Sequence, residues 1–161
     1  MDNNNRGFVY LTRDRLHELE TELNDLKSRG RKEIADKIAE ARAHGDLSEN
    51  AEYDAAKYEQ EQLEIRIAKY EEMLSRVKII SAEDLPSDKI YILHNVKLLD
   101  LNTKEEFCYK LVSPEEADLE QDKISVTSPI GKALLGRKKN EEVEIVVPAG
   151  KIKYKIIDIF K

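Results

Sequence analysis

Four carboxylates crowd one short stretch of this chain. Asp46, Glu49, Glu52 and Asp54 fall within nine residues, and no lysine or arginine lies among them. Carboxylate oxygens are hard ligands, and a pair of them on an exposed turn suits a hard cation such as Mg²⁺, which takes oxygen donors and keeps several of its waters. Asp46 and Glu49 are three apart, so in a first helical turn they share a face. The same spacing has a purely structural use. Asp-x-x-Glu ahead of a helix forms a capping box with Asp46 as N-cap and Glu49 at N3, and acids in a first turn suit the helix dipole. The two uses are compatible.

Other reactive groups offer less. Lys57, one turn beyond the cluster, is a cation able to meet a phosphate, or simply a solvated helix lysine. His44 has no histidine or cysteine near it and reads as an exposed turn residue; His17 and His94 are remote from it in sequence. No Ser-His-Asp arrangement, HExxH, P-loop or GxGxxG occurs. Ser128-Pro129-Ile130-Gly131-Lys132 opens a short helix whose N-terminus faces an anion's preference, but it lacks a glycine-rich loop. Cys108 is the only cysteine, which excludes an internal disulfide or a cysteine-based zinc site. Its surroundings, Glu106-Phe107-Cys108-Tyr109, read as a small buried apolar position.

The acidic cluster needs elements to hold it out. Residues 12–78 contain no proline and only Gly30 and Gly45, and they are rich in Glu, Lys, Arg, Ala and Leu, which is helix-forming composition. Leu16, Leu19, Leu23 and Leu26 follow the 3-4-3 spacing of a coiled-coil seam. After Gly30 the seam resumes one residue late at Ile34, Ile38 and Ala41, an 11-residue step from Leu23 that predicts local relaxation of the supercoil. A second seam runs through Tyr53, Ala56, Gln60, Leu63, Ile67, Tyr70, Leu74 and Val77. Facing residues of an antiparallel hairpin have a constant number sum. Leu16 with Val77, Leu19 with Leu74, Leu23 with Tyr70 and Leu26 with Ile67 each sum to 93. Ile34 with Gln60, Ile38 with Ala56 and Ala41 with Tyr53 sum to 94. The chain therefore folds back near residue 47, beside His44-Gly45-Asp46, with arms of roughly 45 Å at 1.5 Å per residue.

From about residue 85 onward the character changes. All four prolines lie there, and apolar and polar residues alternate in Asn95–Leu99, Phe107–Val112, Lys123–Thr127, Glu142–Val147 and Ile152–Ile157. Ser128 as N-cap, Pro129 at the first helical position and Gly136 as a stop predict one short helix among these strands. The expected fold is α+β: a coiled-coil hairpin over 1–80 with its acidic tip near 46–49, then a small α+β domain over 85–161. Net charge is −6, with 27 Lys plus Arg against 33 Asp plus Glu, which argues against gripping duplex DNA by its phosphates. No apolar run approaches the roughly 18 residues of a membrane span, and Met1-Asp2-Asn3-Asn4-Asn5 lacks the apolar stretch of a signal peptide, so the expectation is a cytoplasmic, monomeric protein.

The stretch from Ala41 to Ala56, Ala-Arg-Ala-His-Gly-Asp-Leu-Ser-Glu-Asn-Ala-Glu-Tyr-Asp-Ala-Ala, resembles the signature of the bacterial Gre transcript cleavage factors. A second block, Ile124 to Gly136, resembles that family's C-terminal signature. With Glu142-Val143-Glu144-Ile145 and the Pro148-Ala149-Gly150 turn, the likeness covers nearly all of the chain after residue 8. The first block is highly specific, whereas the second is shared with distant relatives that bind polymerase without stimulating cleavage. The resemblance implies an FKBP-like second domain that docks at the rim of RNA polymerase's secondary channel while the hairpin reaches inward. It implies that Asp46 and Glu49 match the two tip acids that bring a second Mg²⁺ to the polymerase active site. There the backtracked RNA 3′ segment is cut off by the polymerase's own activity, and the factor is not itself an enzyme. Lys57 matches a position that touches that RNA. Glu59, Glu61 and Glu64 stand where the GreB-type branch is strongly basic, so the GreA type is favoured. The departures are the Asn-rich start and Ala149 where a second glycine is common, and neither bears on the tip. A channel-plugging inhibitor is the alternative of a different class, and retention of Asp46 and Glu49 argues against it. A self-contained metal nuclease is disfavoured because two exposed carboxylates bind Mg²⁺ weakly.

Overall fold

The computed structural model describes residues 7–46 and 50–161. These divide into two compact units, one of residues 14–76 and one that joins the first 13 residues to 77–161. The architecture is α+β, an antiparallel helical hairpin followed by a small sheet domain.

In the hairpin unit, α1 (Arg13–Asp25) runs through a single π-helical turn (Leu26–Gly30) into α2 (Arg31–Ala43), and α3 (Ala51–Ser75) returns alongside. Leu19, Leu23, Ala41, Ala56 and Ile67 are buried, and the remaining seam residues from Leu16 to Leu74 are half-buried. Each apolar stripe thus lies against the other arm. Cross-arm polar contacts tie the same register: Tyr70 donates to Glu22 (2.7 Å), Arg31 makes a two-pronged bond to Glu64 (2.9 and 3.0 Å), and Lys37 meets Glu59 (2.6 Å). The Arg31 bond holds the Glu64 carboxyl below its ordinary range.

The one-residue lag in the seam coincides with a feature of the backbone. The extra residue is absorbed in the wider π turn at Leu26–Gly30, where hydrogen bonds run to i+5. Gly30 is the residue that this turn presses against the return arm. A Cβ there would stand 3.3 Å from Leu63 Cδ1.

The ends of the hairpin also depart from expectation. Val77 does not continue the seam opposite Leu16. It begins β2 (Val77–Ile79), which pairs in parallel with β1 (Val9–Leu11), Val9 opposite Val77. Both strands group with the sheet unit, so residues 9–13 and 77–80 leave the helical half in which composition placed them. Val9 and Leu11 are buried, and the Tyr10 amide donates to Ser113 Oγ at 2.9 Å.

The sheet unit contains β3 (Asn95–Asp100), β4 (Glu106–Val112), β5 (Lys123–Ser125), α4 (Pro129–Leu134), β6 (Glu142–Val147) and β7 (Gly150–Phe160). The strand order is β5-β4-β3-β7-β6, antiparallel except for the β4–β5 pair. Alternation places Val96, Leu98, Val143, Ile145, Tyr154 and Ile156 in the core with Ile90, Leu111, Ile124 and Leu134. The same alternation overturns the reading of Cys108 as buried. Phe107 and Tyr109 pack against the core, so the residue between them faces outward and the thiol is exposed.

His94 is a buried titratable group in this unit whose shift makes stability depend on pH near neutrality. It is 1% exposed, its Nδ1 accepts from the Tyr91 amide at 3.2 Å, and Nε2 finds no partner among the described residues. An accepting Nδ1 requires the neutral ring with its proton on Nε2. Burial, assisted by the positive charge of Lys161, lowers its pKa. Above the ordinary value of about 6.5 both folded and unfolded chains are neutral here, and the group adds no pH dependence. Below it the unfolded chain takes up a proton that the folded one refuses, so stability falls with pH until the folded pKa is reached. Thermal melts are expected to show a lower Tm at about pH 5.5 than at about pH 7.5. The pH-dependent loss should shrink in His94→Gln, and an unchanged slope in that variant would remove His94 as its source.

Candidate functional site

The hairpin turn is built from a helix end, a left-handed glycine and a cap. At the end of α2 the His44 amide donates to Ala41 O (3.2 Å) and the Gly45 amide to Arg42 O (3.3 Å). Gly45 has φ +102°, a region open to glycine and strained for other residues, and it turns the chain out of the helix. Asp46 follows it and is exposed. Leu47, Ser48 and Glu49 lie outside the described residues, so Glu49 is known here only by its position in sequence.

α3 begins later than the capping-box reading requires. Its N-cap is Asn50, whose Oδ1 accepts from the Tyr53 amide at 3.1 Å. Asp46 stands four residues before that cap and is not the N-cap of α3. The cap also reaches backward, because Asn50 Nδ2 donates to Ala41 O at 2.6 Å. Sequence reasoning passed over Asn50, although Asn ranks with Asp as an N-cap and directly precedes the helical run.

Side chains brace the turn from both arms. His44 Nε2 lies 3.2 Å from Glu52 Oε2, and the Arg42 guanidinium sits 5.9 Å from the centre of the Tyr53 ring, in cation–π range. Of the four clustered acids, Glu52 is therefore engaged with the turn itself. Lys57 is exposed one turn further along α3, and its Nζ donates to Gln60 Oε1 at 2.8 Å. Beside it lie Asp54, exposed Tyr58 and Glu61, around a shallow depression. Glu59 and Glu64, acids where a basic run would make a different surface, are taken up by Lys37 and Arg31 across the hairpin.

These positions bear on whether the tip carboxylates suit a metal. An exposed Asp46 offers the hard oxygen donor that Mg²⁺ prefers. Among the described residues, no three His, Cys, Asp or Glu side chains converge to hold an ion. A carboxylate of this kind fits the donor chemistry of Mg²⁺. No described helix is long and apolar enough to cross a membrane.

Comparisons with known proteins agree over both halves of the chain. Residues 9–79 match the model of the family described as "Transcription elongation factor, N-terminal", and residues 85–161 match "Transcription elongation factor, GreA/GreB, C-term". The chain is 53% identical over 151 residues to the transcription elongation factor GreA of Chloroherpeton thalassium, covering 94% of this chain and 96% of that protein. It is likewise 53% identical over 154 residues to that of Chlorobium phaeobacteroides strain BS1, again covering 94% and 96%. Among solved structures, GreA factor homolog 1 (Gfh1) of Thermus thermophilus is 29% identical with a TM-score of 0.44, covering 96% of this chain and 99% of that one. Matched end to end by family models and by relatives at about half identity, the chain belongs to the GreA/GreB family of transcription elongation factors.

Proposed function

We propose that this chain binds RNA polymerase and stimulates the polymerase's intrinsic cleavage of the 3′ end of backtracked nascent RNA, releasing arrested complexes. The observation that carries the reading is the hairpin turn, where Asp46 is exposed between the end of α2 and the Asn50 cap of α3. An exposed carboxylate at the turn of a hairpin is a group that a second protein's active site can approach. The hairpin is the part that enters the secondary channel, and the sheet unit is the part that docks at its rim.

Asp46 and Glu49 would hold Mg²⁺ jointly with polymerase ligands, and a metal so held supplies an activated water and charge stabilisation for the leaving oxygen. The chain's own contribution is positional. Gly45 and Asn50 set where Asp46 stands, and the seam between α2 and α3 holds the two arms together. Lys57 offers an ammonium to the phosphates of the extruded RNA, one helical turn beyond Asp54. The protein is on this reading a cytoplasmic monomer and an assistant to an enzyme.

Purified chain with Mg²⁺ is expected to leave free RNA intact over hours. Added to a stalled, backtracked elongation complex, it should shorten the transcript from its 3′ end at a rate well above that of polymerase alone. Gel analysis of labelled RNA reads both outcomes. Cleavage of free RNA by nuclease-free protein would make the chain an enzyme, and an unchanged transcript in the backtracked complex would defeat the proposal.

A further inference from the structure

The amide of Asn50 makes two bonds of opposite sense to two different helices. Its oxygen accepts from the Tyr53 amide in the first turn of α3 (3.1 Å), and its nitrogen donates to the Ala41 carbonyl in the last turn of α2 (2.6 Å). The partners fix the orientation of the amide, because a backbone N–H meets only the oxygen and a backbone C=O only the nitrogen. One side chain therefore closes both ends of the segment that carries Asp46, at the position directly after Glu49.

Capping alone does not call for this residue. Ser, Asp and Thr also accept from an N2 or N3 amide. What they lack is a donor set apart from the acceptor on a planar group. Asp offers no donor at all, and Ser would have to make both bonds from a single oxygen. The neighbouring packing makes the second bond consequential. Ala41 and Ala56 are 2% and 4% exposed, small residues that let the two arms approach closely beside the turn. The Ala41 carbonyl already accepts from the His44 amide, so the bond from Asn50 joins the outgoing turn and the incoming helix at one atom.

We propose that Asn50 is a positioning residue for stimulated cleavage, a clamp that fixes where Asp46 stands by joining the helix ends on either side of it. This rests on the reading of the tip acids given above. The loss of a group that orients a metal's ligands costs roughly 10–100-fold in metal affinity or activity, and a clamp acting at one remove should fall near the low end.

The test uses the full chain with Asn50→Asp and Asn50→Ser, both of which keep an N-cap oxygen and remove the bridging donor. Three quantities are measured: Tm, competition for polymerase, and cleavage rate in a backtracked complex across a Mg²⁺ titration. Both variants are expected to melt within a few degrees of wild type and to compete equally for polymerase. Their maximal cleavage rate should fall about tenfold at ordinary Mg²⁺ and recover in part as Mg²⁺ is raised. Wild-type cleavage at every Mg²⁺ concentration would overturn the clamp. A loss of cleavage that only tracks lost Tm or lost polymerase binding would also overturn it, reducing Asn50 to a structural cap. Wild-type chain and Asp46→Asn are run beside them. If wild type does not stimulate cleavage, the functional reading fails; if it does and Asn50→Asp matches it, only the clamp fails.

Discussion

Asp46→Asn is expected to lose most stimulated transcript cleavage while the folded chain stays intact. The substitution keeps the size and shape of the side chain and replaces a charged hard-oxygen donor with a neutral amide, which Mg²⁺ binds far less well. Losing a metal ligand should cost no less than losing its outer support, so the cleavage rate should fall by at least about tenfold and by as much as about 100-fold. Stability should scarcely change. Asp46 is exposed and Asn50, not Asp46, is the N-cap of α3, and exposed substitutions usually stay within about 0.5 kcal/mol. For a chain of this size that is a change in Tm of a degree or two. Competition for polymerase should match wild type, because the substitution leaves the sheet unit untouched. Raised Mg²⁺ should restore part of the rate by mass action. Wild-type cleavage by Asp46→Asn would show that the carboxylate is dispensable and would end the metal-sharing mechanism.

That the cap is Asn50 and not Asp46 shows what sequence can and cannot resolve at a helix start. Asp46, Glu49 and Asn50 are all favourable near an N-terminus, and propensity does not choose among them. The choice is made by a contact eight residues of chain do not encode locally, the bond from Asn50 to the far end of α2. The hairpin register, by contrast, was legible. Leu19, Leu23, Ile67 and the alanines at 41 and 56 repeat at spacings that place them on one face, and burial follows the face. The lag after Gly30 was legible as one extra residue but not as a π turn. Side-chain spacing counts residues, whereas the way a helix absorbs an extra one is a matter of backbone hydrogen bonding.

Short-range pattern also misses β1 and β2. Each is three residues long, and each finds its partner 68 positions away, Val9 opposite Val77, so neither shows a period. In the sheet unit the pattern served better, because strands β3, β4, β6 and β7 alternate over six or more residues. Cys108 was misread through residue type when alternation with Phe107 and Tyr109 already pointed it outward. The acids and the lysine of the candidate site were visible as residue types in sequence. The bracing by His44 with Glu52 and by Arg42 with Tyr53 was not, since each pair joins opposite arms across the turn.

Gly131→Ala is expected to be the most destabilising single-methyl change in the sheet unit. Gly131 is buried in α4, and its amide donates to the Ser128 Oγ cap at 3.0 Å while that hydroxyl donates to Ser125 O at 2.6 Å. A Cβ on Gly131 would stand 2.0 Å from Ser125 O and 2.9 Å from Ser125 C. Neither atom belongs to a side chain that can swing aside. Relief requires moving α4 off the end of β5, which breaks the cap and opens the core around Leu134 and Ile124. Overpacking costs about 1–3 kcal/mol and sometimes more. In a domain of under 100 residues each kcal/mol moves Tm by about 4–8 °C, so a loss of about 10 °C or more is expected. Gly136→Ala provides the contrast. Gly136 has φ +81° with nothing within 4 Å of a Cβ, so only left-handed strain of about 1–2 kcal/mol opposes alanine there. Calorimetry of both variants should therefore rank Gly131→Ala below Gly136→Ala and both below wild type. A Gly131→Ala protein that melts like wild type would mean that α4 does not pack on Ser125 as described.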